Sequence, residues 1–342
     1  MTASVDIVIP CYQYGRFLPD CVTSVLRQNV DALRILIIDN ASTDDSVAVA
    51  RRLAASDGRI EVRARRKNLG PHASFNEGVD WAASDYVMIL CADDLLAPGA
   101  LERAVAVMEQ NPDVSFAIGA DREFRDGETL PAETGGDAPW HVVEGSQFVS
   151  ERCQNPAGYV AAGAVLVRTS AQKAAGYYRP ELPYTDDLEM LLRLAAPARV
   201  AVTGAVQGFR RLHGANMSDS IVTARVAELG HRQAAFASFF AREGRTMPEA
   251  RQLEQTVHRR LAEHAYWWGI RDLARAHFRS AAQLVAYAFR TAPTMAVVPP
   301  VKYLFRKGRP LARLGALAMA AVAGRVHGTA SSAATRAIGK RP

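Results

Sequence analysis

The first part of the chain alternates short apolar runs with longer amphipathic stretches. The apolar runs are typical of buried strands and comprise Val5–Pro10, Arg34–Asp39, Ile60–Ala64, Tyr86–Leu90 and Val114–Ile118. The stretches between them have the apolar spacing of helices, which we predict over Phe17–Gln28, Asp44–Ser56, Ala73–Ala82 and Pro98–Gln110. Short apolar strands separated by helices predict an α/β fold, in which a mostly parallel sheet is flanked by helices.

The remainder of the chain changes character twice. Gly119–Gly145 is polar and rich in Gly, Pro and acidic residues, which predicts a long loop. We then predict a strand, two helices and two short closing strands, over Ala161–Val167, Ser170–Ala175, Asp187–Ala196, Arg199–Val202 and Val206–Arg210. From about Ile221 the pattern is helical. We therefore expect an α/β domain over residues 1–220, a helical region over residues 221–327 and a disordered tail over residues 328–342.

Polar clusters directly follow three of the predicted strands. They are Pro10-Cys11-Tyr12, the run from Asp39 to Asp44, and Ala92-Asp93-Asp94. Aspartate and asparagine are common turn and N-cap residues, so each cluster alone is compatible with a structural role. Ligands of such sheets bind beyond the carboxyl ends of the strands. Three clusters at strand ends of one sheet therefore favour a binding site.

Asp93 and Asp94 form the clearest chemical signal. Two adjacent carboxylates repel one another unless a cation or strong hydrogen-bond donors lie between them. A hard divalent ion held by one or two carboxylates and by substrate phosphates is the usual arrangement for Mg²⁺ or Mn²⁺. Capping of the helix that Pro98 begins is the alternative.

Two further carboxylates fit the same site. Asp39 ends the second predicted strand, where an acidic side chain can accept hydrogen bonds from a base or ribose. Neither a GxGxxG nor a GxxxxGK[ST] motif is present, which argues against NAD(P)-binding and P-loop proteins. Asp186-Asp187 begins a predicted helix; Asp186 can cap it while Asp187 faces the crevice, where a carboxylate can act as a general base.

Six segments carry a resemblance to a known family, and they occur in its order. They are DIVIPCYQYGRFLPDCVTSVLRQ, ILIIDNASTDDS, NLGPHASFNEG, DYVMILCADD, GAVLVRTSAQKAAGYYRPELPYTDDLEMLLRLA and FRRLHGANMS. Together they resemble the family-2 glycosyltransferases of the GT-A (Rossmann-like) fold, which are inverting enzymes that use nucleotide-diphospho-sugars. The resemblance covers about Ser4–Ser220.

The resemblance implies a role for each matching carboxylate. Asp39 would recognise the nucleotide base, and Asp93 would contact ribose or metal. Asp94 would coordinate the Mn²⁺ or Mg²⁺ ion that bridges the diphosphate. Asp187 would be the general base that deprotonates the acceptor hydroxyl. The implied reaction is a direct displacement at the anomeric carbon, in which the metal offsets the charge of the leaving nucleotide diphosphate.

Four other positions follow from the same resemblance. Pro10, Tyr12 and Asn68 would lie at the nucleotide-sugar site, and His213 would be a phosphate or metal contact. A lone histidine is more often an ordinary polar side chain.

The chain departs from the family pattern at two positions. Many relatives have an aspartate where this chain has Cys91, and a thiol is a poor ligand for a hard cation. Since the metal contact falls mainly on the later carboxylate, we expect activity to survive. The base motif usually reads Glu-Asp and here reads Asp186-Asp187, which retains the second position.

Composition narrows the class of protein. With 49% hydrophobic and 22% charged residues, the chain is neither collagen-like nor disordered. Four scattered cysteines predict reduced thiols in a cytosolic protein, without a disulfide framework or CxxC metal site. The start MTASVDIVIP does not resemble a signal peptide, and no apolar run is long enough to span a membrane. We therefore expect a cytoplasmic protein.

The positive charge is concentrated at one end. From Leu273 onward there are twelve Lys or Arg and no Asp or Glu, while the first 272 residues carry a net charge of −6. Leu284–Arg313 interleaves aromatic and apolar residues with these cations, which predicts either peripheral association with an anionic membrane or a packed helical appendage. No nucleic-acid-binding signature accompanies the charge, so we expect no nucleic-acid partner.

The sequence is compatible with three functions. The leading one is inverting transfer of a sugar, from a UDP-sugar by family frequency, to a hydroxyl acceptor in a polysaccharide, glycolipid or metabolite. The second is a catalytically silent nucleotide-sugar-binding or scaffold protein with the same fold, for which Cys91 is the support. The third is a nucleotidyltransferase, which would need a Gly-rich, basic loop where this chain has Pro10–Arg16.

Overall fold

The apolar runs form the strands of one nine-stranded sheet in the computed structural model, which describes residues 3–131, 138–158, 164–216, 225–301 and 303. The strands are β1 Ser4–Cys11, β2 Ala32–Asp39, β3 Ile60–Ala64, β4 Tyr86–Ile89, β5 Leu95–Leu96, β6 Val114–Arg125, β7 Trp140–Glu144, β8 Leu166–Arg168 and β9 Arg199–Leu212. Their order is β3-β2-β1-β4-β8-β6-β9-β5, and β7 pairs with β9.

The sheet is mixed rather than uniformly parallel. β1 pairs in parallel with β2 and β4, as do β2 with β3 and β6 with β9. The other four pairings among the described residues are antiparallel. The predicted α/β class is correct. The parallel strands β1 to β4 are the part of the sheet in which apolar runs and helices alternate most clearly in the sequence.

In the described residues up to Leu212, seven helices accompany the sheet. They are α1 Leu18–Leu26, α2 Ser46–Ser56, α3 Pro71–Trp81, α4 Ala100–Gln110, α5 Gly145–Gln154, α6 Thr169–Ala175 and α7 Asp186–Ala195. On one face Ile7 and Ile9 share a core with Val22 of α1. On the other face Val8 lies so close to α3 that a Cβ on Gly78 would come within 2.5 Å of its side chain. Helices on both faces explain why β1 is a continuous apolar run.

Two expectations for the second half of the sheet are wrong. Gly119–Gly145 is not one long loop, because β6 continues to Arg125 and β7 occupies Trp140–Glu144; residues 132–137 lie outside the described part. The two predicted closing strands are one strand, β9. The outer half of β6 exposes polar side chains and pairs with β9 through backbone hydrogen bonds, so it has no apolar pattern to detect.

The described chain divides into two compact units. The first is drawn from Met1–Glu151, Tyr159–Asp219 and Ala237–Ala250, and the second from Arg152–Gly158, Ser220–Phe236 and Arg251–Pro342. The expected boundary at Ser220 falls in residues 217–224, outside the described residues, as do residues 304–342 with the expected disordered tail.

The last helices follow the predicted helical pattern. They are α8 Arg225–Ala241, α9 Ala250–Ala274 and α10 Phe278–Thr291, followed by a 3₁₀ turn at Pro293–Ala296. In α10 the residues Ala281, Leu284 and Ala288 recur at helical spacing and are buried, which stabilises the helix by packing. Within the described ranges, no helix has the length and apolar character needed to span a bilayer.

Candidate active site

The carboxyl ends of β1, β2 and β4 bring the three polar clusters to one edge of the sheet. Because β1 pairs in parallel with both neighbours, Cys11 is opposite Asp39 and Val8 is opposite Ile89. Pro10 is half-buried at the end of β1, and Tyr12 is exposed just beyond it. The turn needs a positive φ of 62° at Gln13. The predicted nucleotide-sugar residues of β1 and β2 are therefore neighbours.

Asp39 has one carboxylate oxygen without a hydrogen-bond partner among the described residues. The residue is 1% exposed, and its Oδ2 accepts a hydrogen bond from the Ser42 backbone N–H at 3.0 Å. Its Oδ1 is buried and accepts no hydrogen bond from the described residues. Leaving a buried acceptor unsatisfied destabilises the folded state, by about 1–3 kcal/mol. The position therefore suits a ligand that donates an N–H or O–H group.

Asn40 connects Asp39 to the predicted site residue Asn68. Its Nδ2 donates to Asn68 Oδ1 at 2.8 Å, and its Oδ1 accepts from Arg65 at 3.2 Å and from the Leu69 N–H at 3.0 Å. These bonds hold the segment before α3 against the end of β2. Asn40 was not predicted as a site residue, although its place directly after Asp39 was a signal.

Cys91, Asp93 and Asp94 form the cluster that could hold a metal ion among the described residues, with their ligand atoms within 4.8 Å of one another. Burial and the neighbouring Asp93 charge raise the pKa of Asp94 to about 8. A divalent cation would remove this penalty, and the carboxylate oxygens suit Mg²⁺ or Mn²⁺. Cys91 is exposed and offers only a soft sulfur atom. The two aspartates thus fit the expected ion, and the cysteine does not.

His213 lies against Asp93. Its Nε2 is 3.1 Å from Asp93 Oδ2, and its Nδ1 accepts the Ala215 backbone N–H at 3.2 Å. The hydrogen-bond network thereby assigns the ring hydrogen to Nε2, which donates to the carboxylate. Asn216 Nδ2 donates to the same oxygen at 3.3 Å. In this arrangement His213 orients Asp93 and is not one of the three clustered ligands.

Arg211 holds the segment that contains Asp93 and Asp94 in place. It is 6% exposed, and its Nε donates to the Asp93 carbonyl at 3.1 Å while its backbone N–H donates to Asp94 Oδ1 at 3.0 Å. Its guanidinium pairs with Asp20 and Asp126. Sequence reasoning missed this residue, although it stands in the same FRRLHGANMS segment as His213.

Asp186 and Asp187 begin α7 in different environments. Asp186 is 8% exposed, and burial together with the Asp187 charge raises its pKa to about 8. His72 Nε2 lies 3.5 Å from Asp186 Oδ2, and burial lowers the pKa of that imidazole. Asp187 is only half-buried. Burial raises the pKa of the Cys91 thiol, and the charges of Asp93, Asp94 and Asp187 add to this shift. The role of Asp187 as the general base stays a prediction. His72, which lies next to Asp186, is a neighbour that sequence reasoning missed.

Comparison with known proteins identifies one segment of the chain. Residues 6–171 match the sequence model described as Glycosyl transferase family 2. This segment belongs to the family 2 glycosyltransferases. The chain is 27% identical over 138 residues to the glycosyltransferase GlyG of Streptococcus pneumoniae, an alignment that covers 40% of this chain and 46% of that protein. The chain therefore spans less than half of that relative.

Two solved structures share the fold. One is the mannosyltransferase PcManGT from Pyrobaculum calidifontis in complex with GDP-Man and Mn²⁺, with a TM-score of 0.59 at 16% identity, covering 95% of this chain and 87% of that chain. The other is S. aureus TarS 1–349 in complex with UDP-GlcNAc, with a TM-score of 0.54 at 14% identity, covering 86% of this chain and 92% of that chain. The expected GT-A fold is thereby confirmed.

Proposed function

We propose that the protein transfers a sugar from a nucleotide-diphospho-sugar to an acceptor hydroxyl, with inversion at the anomeric carbon. One observation carries the proposal. At one edge of the sheet, within the family 2 segment, an Asp39 oxygen without a hydrogen-bond partner among the described residues lies with the paired carboxylates Asp93 and Asp94. Asp39 can accept a hydrogen bond from a base, and Asp93 and Asp94 can hold a cation beside a diphosphate.

We propose a UDP-sugar as donor. Uracil presents an imide N–H, which supplies the hydrogen bond that Asp39 Oδ1 lacks. Tyr12 is 44% exposed beside it and offers an aromatic face to the base. We propose that two more residues line the base site. They are Asn68, which accepts a hydrogen bond from Asn40, and the half-buried Pro10. TarS was solved with a UDP-sugar and PcManGT with a GDP-sugar, so the choice of base is the part to be tested.

Asp94 and Asp93 are proposed to hold Mn²⁺ or Mg²⁺. When bound, the ion would offset the negative charge of the leaving nucleotide diphosphate as a Lewis acid. His213 and Asn216 hold Asp93 Oδ2, and the Arg211 backbone holds Asp94 Oδ1, so both carboxylates are oriented before any ligand arrives. A metal contact of His213 itself would require one of its ring nitrogens to give up its present hydrogen bond, to Asp93 or to Ala215.

Asp187 is proposed as the general base. Its carboxylate accepts the proton of the acceptor hydroxyl while that oxygen forms a bond to the anomeric carbon and the bond to the diphosphate breaks. Burial raises the pKa of Asp186 to about 8, so near neutral pH the pair carries its charge on the more exposed Asp187. A cytoplasmic site of action and a product in polysaccharide, glycolipid or metabolite synthesis remain predictions.

The proposal is tested by binding and turnover together. Thermal unfolding is measured with UDP, dTDP and GDP, each with and without Mn²⁺, and metal-dependent hydrolysis of the matching nucleotide-sugar is then followed. We expect a shift that needs both UDP and the metal, together with slow hydrolysis. Affinity without turnover would instead identify a silent nucleotide-sugar-binding protein. No shift with any pair would overturn the assignment of the site.

A further inference from the structure

Exposed apolar side chains are concentrated in one stretch of the second unit. Ten large apolar residues are exposed among the described residues, and five of them lie between Leu273 and Val301. Clustered exposed apolar residues, unlike scattered ones, mark interaction sites. The same stretch contains no acidic residue.

The basic turn, Leu273–Arg279, joins α9 to α10. Leu273 is 52% and Phe278 67% exposed, and the cationic side chains Arg275 and Arg279 between and beside them are exposed as well. The preceding carboxylate, Asp272, is 2% exposed and is bound by Arg225 and Ser280, each at 2.6 Å. The turn therefore presents apolar groups and positive charge without a compensating carboxylate.

The valine segment, Val297–Val301, is held from its inner side. Met295 just before it is buried, and the Trp267 indole N–H donates to the Pro300 carbonyl at 3.1 Å. These anchors leave Val297, Val298 and Val301 between 52% and 84% exposed. Trp267 precedes Leu273 by six residues on α9, or about 9 Å along the axis. The two segments are therefore attached within about two turns of one another on α9.

We propose that the basic turn and the valine segment bind the interface of a bilayer that contains anionic lipids. The interface of such a bilayer accepts exposed Phe, Leu and Val side chains among the acyl chains and Arg side chains among the phosphates. A nucleic acid would match the cations but not the valines. Among the described residues from Leu273 to Val301 there are three cations, Arg275, Arg279 and Arg290, and no acidic residue, so their charge complements an anionic surface.

The experiment uses the full chain. A truncation that removed α10 would also remove the buried side chains by which this helix packs, and the remaining protein could unfold. Binding is measured by co-sedimentation with vesicles of phosphatidylcholine alone and with vesicles containing phosphatidylglycerol. The apolar variant is Phe278→Ser with Val298→Ser, and the charge variant is Arg275→Gln with Arg279→Gln. The matched control, Leu130→Ser with Tyr177→Ser, removes two exposed apolar residues of the first unit.

We expect the wild type to bind only the phosphatidylglycerol vesicles. The apolar and charge variants should each bind about tenfold more weakly, and the control should bind as the wild type does. An unchanged thermal shift with nucleotide and Mn²⁺ would show that the variants fold, and this readout also separates the inference from the proposed function. Wild-type binding to neither vesicle, or equal loss in the control, would overturn it. A dimer that the apolar variant dissociates would overturn it in favour of a second copy of the chain.

Discussion

The Asp93-Asp94 pair and the Asp186-Asp187 pair have the same sequence and different surroundings. In each pair, burial and the neighbouring carboxylate raise one pKa to about 8, that of Asp94 in the first and that of Asp186 in the second. The first pair follows a strand, and the second begins a helix. The dipeptide alone therefore does not decide the chemistry.

The difference lies in the groups that face each pair. Hydrogen-bond donors from His213, Asn216 and the Arg211 backbone hold individual oxygens of the first pair. The possible ligand atoms of Asp93, Asp94 and Cys91 lie within 4.8 Å of one another. That arrangement suits a cation. At the second pair, the buried His72 has its Nε2 atom 3.5 Å from Asp186 Oδ2, and Asp187 is half-exposed. That arrangement suits the transfer of a proton.

The largest effect is expected from Asp187→Asn. An amide cannot accept the acceptor proton, so turnover of the nucleotide-sugar should fall by about a thousandfold. Nucleotide affinity in the presence of Mn²⁺ should stay nearly unchanged, because Asp187 is not one of the clustered ligands. Turnover is followed as release of the nucleoside diphosphate. Rates comparable to those of the wild type would remove Asp187 as the base.

Asp94→Asn should affect binding instead. Loss of a carboxylate ligand should weaken the metal-dependent part of nucleotide binding by at least about tenfold. The measurement is calorimetric titration of UDP with and without Mn²⁺, and Asp31→Asn, an exposed carboxylate, is the control. If Mn²⁺ strengthened binding to Asp94→Asn as much as to the wild type, the Asp93-Asp94 pair would not be the cation site.

Asp186→Asn tests the second pair through stability. The folded-state pKa of Asp186, about 8, lies above the ordinary value of 3.8, so the folded protein binds the proton more tightly than the unfolded chain does. Stability is then greatest below about pH 4 for this group and is lost as the pH rises towards 8, by about 1 kcal/mol per pH unit. Asp186→Asn should remove this contribution.

The measurement is urea unfolding with a chelator at several pH values between 5 and 8. Asp187→Asn serves as the comparison, because it removes the neighbouring charge but leaves the buried carboxyl in place. A pH dependence that Asp186→Asn leaves as steep as that of the wild type would show that Asp186 is not the titrating group.

The sequence predicted the parts of the molecule that depend on local pattern. β1 to β4 were predicted because strands buried on both faces are continuous apolar runs, and the polar residues at their ends pointed to the site. The outer half of β6 was missed because its polar side chains are exposed. Arg211 and His72 were missed because only the fold brings them to Asp93 and Asp186; Arg211 contacts Asp93 from 118 residues away.

The smallest effect is expected from Cys91→Ser, which asks whether the third member of the metal cluster contributes. A thiol binds hard cations poorly, and a hydroxyl of similar size replaces sulfur by oxygen, so Mg²⁺- or Mn²⁺-dependent UDP affinity should change by less than about threefold. Cys91→Asp would add a third carboxylate near Asp93 and Asp94 and should favour Mg²⁺ more clearly, because it supplies a hard oxygen ligand. A large loss in Cys91→Ser would mean that sulfur ligates the ion, and a softer metal than Mg²⁺ would then be the one that this site selects.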